Sequence, residues 1–208
     1  MSVVDSAKFL GIFVDSNLKW TLHVESLGKK LASSCYAIRS VSRELNMQSA
    51  RMAYFSLVES HLRYGLPFWG TGGVTQFNAI FSLQKRAIRY LFGLNQRTHC
   101  KPYFRKSGIL TLPSLFIFET ACMIRKHRHL FPPRPDEGYF TRTSDYDIYL
   151  PTPSTELARR SVIYLAKKLF NHLPHNLKSV PSYQKFRSLT RSYFIERPLY
   201  SVNEFWDT

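Results

Sequence analysis

The apolar residues Val24, Leu27, Leu31, Cys35, Ile38, Val41 and Leu45 follow one another at steps of three or four. A strand returns a side chain to the same face at every second residue, so this stretch is not one. The spacing predicts a single amphipathic helix over 23–45 with a continuous buried stripe. Lys29, Lys30, Arg39 and Arg43 fall off that stripe. An apolar helix face has to be buried against something, and the next segments offer matching faces. Met52, Phe55, Val58 and Leu62, widened by Tyr54 and Leu57, predict a second helix over 48–64, with Asn46 or Ser49 as its cap. Phe77, Ile80, Ala87 and Leu91, helped by Phe81, Leu83 and Ile88, predict a third over 75–92. Its outer side carries Lys85, Arg86 and Arg89.

Ahead of these helices stands a different pattern. Phe9 to Val14 is a short apolar run interrupted by Gly11, and Asp15-Ser16-Asn17 are turn formers. Leu18, Trp20 and Leu22 then alternate with Lys19 and Thr21, which is strand spacing. The expectation is a β-hairpin turning at Asp15–Asn17, with Gly11 inside its first strand. A lone hairpin is marginal in water, so it has to pack on the helices or pair with a further strand. The chain opens almost directly on it, which fits a piece of a longer protein.

Pro113 is well placed to start a fourth helix that is apolar nearly all round and ends in Arg125-Lys-His-Arg-His129. Those cations complement the helix dipole or face phosphates. Phe131-Pro-Pro-Arg-Pro135 then breaks the pattern, and a long loop is expected as far as Thr155. Val162, Leu165, Leu169 and Phe170 predict another helix, and Ser182 caps a last one carrying Phe186, Leu189, Tyr193 and Phe194. The expected fold is mainly α: an N-terminal β-hairpin (1–22), a helical bundle (23–131), a linker (132–155) and a partly ordered helical C-terminal region (156–208).

Net charge is +15. Residues 1–70 hold eight Lys/Arg against five Asp/Glu, 71–135 eleven against one, and 136–208 ten against eight. The middle third therefore carries most of the excess, and an anionic partner is expected there. Between 97 and 106 the cations Arg97, Lys101, Arg105 and Lys106 are interleaved with Tyr103 and Phe104, a mixture that suits a nucleic-acid strand. Asp136-Glu137 and Asp145/Asp147 lie in the expected linker, without the close carboxylate pair of a two-metal site. No Gly-rich phosphate loop and no Gly-x-Ser-x-Gly elbow is present. Cys35, Cys100 and Cys122 are odd in number and widely spaced, as expected for a reducing, intracellular setting (nucleus or cytoplasm). On these residues the chain reads as a basic nucleic-acid-binding module without an active site of its own.

Five segments, in order, resemble the region after the catalytic palm in reverse transcriptases of jockey-like non-LTR retrotransposons. They are Lys8-Phe-Leu-Gly-Ile-Phe-Val-Asp-Ser-Asn-Leu-Lys-Trp20, Ser60-His-Leu-Arg-Tyr-Gly-Leu-Pro-Phe-Trp-Gly70, Leu83-Gln-Lys-Arg-Ala-Ile-Arg89, Lys168-Leu-Phe-Asn-His-Leu-Pro174 and Pro198-Leu-Tyr-Ser-Val-Asn-Glu-Phe205. In the fourth, Phe170 stands where the family usually has Trp. The resemblance implies a palm-edge, primer-grip hairpin with Phe9, Leu10 and Gly11 seating the primer end, followed by a helical thumb. The thumb would contact RNA or an RNA–DNA hybrid through Lys85, Arg86, Arg89, Lys29, Lys30, Arg97 and Lys101. It also implies that the paired aspartates and their Mg²⁺ belong to an upstream palm, so no cofactor is expected on this chain and no polymerisation by it alone. The alternative is a domesticated RNA- or DNA-binding or interaction module without catalysis. For Phe9 and Phe13, plain core packing competes with a primer-facing role.

Overall fold

The computed structural model describes residues 5–132, 146–155, 158–159 and 161–207. They are mainly helical, with a two-stranded antiparallel hairpin at the N-terminus. The chain separates into two compact units, 1–112 and 113–208. That division falls inside the 23–131 span expected to be one domain.

In the first unit, β1 (Ser6–Phe9) pairs with β2 (Ile12–Asp15) in the register Ser6↔Asp15, Ala7↔Val14, Lys8↔Phe13, Phe9↔Ile12. The hairpin is real, but its turn lies elsewhere than expected. Leu10 (φ 46°) and Gly11 (φ 83°) form a two-residue loop with both residues at positive φ, the turn whose twist suits adjoining strands. Gly11 is thus a turn residue rather than a strand residue. The segment after β2 is not a strand either. The Asp15 carboxylate accepts from the Lys19 N–H (2.7 Å), the Leu18 N–H donates to the Asp15 carbonyl (3.0 Å), and Leu18 and Trp20 both adopt positive φ. This turn carries the chain into α1 (Thr21–Glu44), with Trp20 buried at its start.

The α1 stripe is buried from Val24 to Ile38, while Leu45 is exposed beyond the helix end. Next comes a rod of three pieces: α2 (Met47–Tyr54), a π-turn (Phe55–Glu59) and α3 (Ser60–Arg63). Asn46 is its cap, accepting from the Ser49 N–H at 2.9 Å. The buried row is Ala50, Tyr54, Val58 and Leu62, with Met52 exposed. A step of four drifts by about 40° on an ideal α-helix, and the wider π-turn takes up that drift. The expected stripe through Met52 and Phe55 was therefore rotated from the observed one.

Gly65 (φ 65°) turns the chain into α4 (Leu66–Trp69), whose Leu66 and Trp69 are buried. α5 (Val74–Leu91) runs parallel to α1. Gly28 faces Ile80 and Leu83, the Cys35 thiol donates to the Leu83 carbonyl (3.5 Å), and the Arg39 guanidinium lies 5.6 Å over the Tyr90 ring. Buried Gln84 fastens the unit's last residues. Its amide donates to the Tyr54 hydroxyl (2.9 Å) and the Leu110 carbonyl (2.9 Å) and accepts from the Leu112 N–H (2.7 Å). Between them lies α6 (Lys101–Ser107).

The second unit contains α7 (Leu112–Lys126) from Pro113 onward, α8 (Val162–His172), α9 (His175–Lys178) and α10 (Tyr183–Glu196). Ser161 and Ser182 cap α8 and α10. The aromatic tail folds back, with Phe205 buried against Phe194 and His172 (ring centroids 5.7 and 4.9 Å) and the Leu199 N–H donating to the Ser114 hydroxyl (3.1 Å). Residues 133–145 of the expected linker lie outside the described residues. The part that follows is anchored: Asn171 bonds both main-chain groups of Ile148 (2.9 and 2.8 Å), and buried Lys178 pairs with Asp147 (2.6 Å). Asn171 of the Leu-Phe-Asn-His-Leu-Pro segment therefore acts here as a clamp on the chain.

Candidate nucleic-acid interface

The three α5 cations sit differently, although they share one face of the sequence pattern. The Lys85 ammonium lies 4.6 Å above the Phe81 ring. Arg89 donates through Nε to the Thr98 carbonyl (3.0 Å), fixing its guanidinium against the loop after α5. Arg86 stands beside the Cys35 thiol, and its buried Nε takes no hydrogen bond among the described residues. Burial pushes the Cys35 thiol up and the neighbouring guanidinium pulls it partly back, so this thiol stays protonated.

Of two adjoining clefts, one of about 370 Å³ opens between the C-terminal ends of α1 and α5, and one of about 400 Å³ lies along α5 and the loop after it. They share Arg89, Tyr90, Leu94 and Gln96. Arg39 and Arg43 line the first and Arg86 the second, and neither has an Asp or Glu in its lining. The Arg39 guanidinium lies over the Tyr90 ring, and Arg43, Arg86 and Arg89 line the same pair of clefts. Arg43 and Arg89 stand in the last turns of their helices, where the dipole favours a cation. The dipole effect fades beyond the last turn, so it does not account for Arg39. Planar forks of this kind match phosphate oxygens, and Tyr90 holds a half-buried ring face among them.

The grouping differs from the one expected. Lys29 and Lys30 are exposed on α1 but line neither cleft. They precede Arg39 by nine to ten residues, about 14 Å along the helix axis at 1.5 Å per residue. Lys30 instead lies near buried His23, where burial first and this ammonium second hold the imidazole below its ordinary pKa. Arg97 and Lys101 are exposed and also line neither cleft. Phe104 is buried, and Tyr103 leans on Phe92 at 5.1 Å, so the interleaved rings pack on the protein rather than stand open for bases. Arg39 and Arg43 were legible only as cations off the α1 stripe. Nothing in the sequence says that α1 and α5 run parallel and bring these four arginines together. In the second unit, Arg125 is occupied by the Val180 and Pro181 carbonyls and Arg128 by that of Phe131, so structure accounts for both.

The primer-grip-like residues form the tip of the hairpin. Phe9 and Leu10 are 68% and 74% exposed, which rules out core packing for Phe9. Phe13 is half-buried, with the Lys8 ammonium 5.5 Å over its ring. The Tyr64 hydroxyl donates to the Leu10 carbonyl and steadies the turn. Asp5–Ser16, Ala7–Val14 and Phe9–Ile12 are the hydrogen-bonded pairs, so the main-chain groups of Ser6 and Lys8 point to the outer side. Among the described residues that edge has no further strand.

Among the described residues no three His, Cys, Asp or Glu side chains come together to hold a metal ion. No single described helix is long and apolar enough to cross a membrane. Comparison with known proteins finds no matching family model, no matching curated protein and no matching solved structure.

Proposed function

We propose that this chain binds the sugar–phosphate backbone of an RNA or RNA–DNA hybrid duplex, as the primer-grip and thumb side of a polymerase related to the jockey-like reverse transcriptases. The observation that carries the reading is the carboxylate-free pair of clefts lined by Arg39, Arg43, Arg86 and Arg89. Phosphate contacts give affinity and register without reading bases, as a duplex-holding element requires. The exposed hairpin tip and open β1 edge support the same reading, since a primer-seating turn must be reachable and a palm-edge strand must be able to pair.

In this scheme Arg39 and Arg43, one helical turn apart, engage successive phosphates along one strand. Arg86 and Arg89 meet the backbone from α5, and Tyr90 supplies van der Waals contact between the two pairs. The chain's own residues position the duplex and do no bond chemistry. The test is anisotropy of a labelled RNA–DNA hybrid with wild type, with R39Q/R43Q/R86Q/R89Q and with K29Q/K30Q. The fourfold variant is expected to lose affinity by roughly a hundredfold or more at low salt, and the lysine pair far less. Equal affinity of wild type and the fourfold variant would refute the proposal.

A further inference from the structure

On another side of the α5 C-terminus lies a pocket of about 570 Å³, within the range of small-molecule sites. One wall is apolar, formed by Met47, Leu91 and Phe92. The other carries Arg51, Arg105 and Lys106, and no Asp or Glu lines the cavity. Arg51 is held in place before any ligand arrives. Its Nε donates to the Ser107 carbonyl (3.1 Å), and its guanidinium lies 5.1 Å over the Phe55 ring. Both terminal nitrogens are then left without a partner among the described residues. The Phe92 ring is braced by Tyr103.

We infer that this pocket binds a nucleoside monophosphate unit, with the phosphate on Arg51, Arg105 and Lys106 and the base against Met47, Leu91 and Phe92. The cations alone would satisfy a bare phosphate. The apolar wall and the volume call for a ligand with a flat uncharged part joined to the anion. An immobilised guanidinium fork costs little ordering on binding, and its planar geometry suits two phosphate oxygens. The adaptable Met47 side chain suits bases of different shape. The unit is either a free nucleotide or the 5′-phosphorylated end of a strand, and the chemistry is the same for both. The site is separate from the Arg39–Arg89 clefts and does not depend on what they bind.

The experiment is an NMR titration of the full chain with AMP, adenosine and inorganic phosphate, following the Leu91, Phe92 and Gly108 amides. AMP is expected to shift all three and to bind roughly tenfold or more tightly than either fragment. R105Q/K106Q, at two exposed positions, is expected to weaken AMP by about tenfold, whereas R39Q/R43Q/R86Q/R89Q leaves AMP unchanged. An oligonucleotide with a 5′-phosphate that outcompetes AMP, and also its 5′-hydroxyl twin, assigns the strand end; AMP binding alone assigns the free nucleotide. The inference is overturned by AMP leaving these amides unmoved, by adenosine binding as well as AMP, or by R105Q/K106Q binding AMP as wild type does. Loss of hybrid-duplex binding in the cleft variant with AMP intact would separate the two sites.

Discussion

Replacing Gln84 with Leu should expose how the first unit closes. Gln84 is fully buried and makes three hydrogen bonds, to the Tyr54 hydroxyl, the Leu110 carbonyl and the Leu112 N–H. Leucine fits the volume but offers no polar atom. The Leu112 N–H and the Leu110 carbonyl would lose their partner, and the Tyr54 hydroxyl would lose its donor. Each buried polar group left unpaired costs about 1–3 kcal/mol. The added apolar burial returns part of that, so the net loss should be about 3–5 kcal/mol, a large share of a typical domain's stability. At a urea m-value near 2 kcal/mol/M, the midpoint should fall by roughly 1.5–2.5 M. Equilibrium urea unfolding of the full chain, followed by circular dichroism, makes the measurement. A shift below about 0.5 M would refute the idea that Gln84 carries the closure, because the freed groups would then have found other partners.

Removing the Asp147 carboxylate with D147N leaves the buried Lys178 ammonium without its counter-charge, and about 2–3 kcal/mol should be lost in the same assay, less than for a fully buried pair because Asp147 is partly exposed. Gly65→Ala places a Cβ 2.5 Å from the Ile12 side chain at φ 65°; a cost of about 1–3 kcal/mol is expected, read as faster hydrogen exchange at Ile12 and Val14. The depressed folded-state pKa of His23 means that the unfolded chain binds the extra proton first. Its contribution is present above the ordinary histidine pKa and is lost as pH falls below it. His23→Leu should therefore lessen the fall in Tm between pH 7 and pH 5, and an unchanged fall would contradict this.

The helices were legible because their apolar steps of three and four repeat over many residues, and α1 and α5 stand almost where those steps put them. The hairpin was legible as β but not in its turn. Asp15-Ser16-Asn17 carries the stronger turn composition, yet Leu10-Gly11 closes the strands, and Asp15 instead closes a separate turn onto the Lys19 N–H ahead of α1. The rod from Met47 shows another limit: its buried row, Ala50, Tyr54, Val58 and Leu62, steps by four through a π-turn, so Val58 and Leu62 were legible while Ala50 gave too small an apolar signal to displace Met52. For the interface, Arg86 and Arg89 were visible on α5. Arg39 and Arg43 were visible beside Lys29 and Lys30 as cations off the α1 stripe, but that they share a cleft with Arg89 depends on how α1 packs on α5, which only tertiary structure supplies.

If Arg39, Arg43, Arg86 and Arg89 hold a nucleic-acid backbone, binding has to weaken steeply with salt. Four phosphate contacts on a duplex should give a slope of log K against log salt of about −3.6, or roughly a 150-fold loss between 50 and 200 mM. Measured by anisotropy on an RNA–DNA hybrid, wild type should show at least that slope, and R39Q/R43Q/R86Q/R89Q should flatten it by about 3–4. Wild-type binding that ignores salt, or a fourfold variant with the wild-type slope, would refute backbone binding by these four arginines.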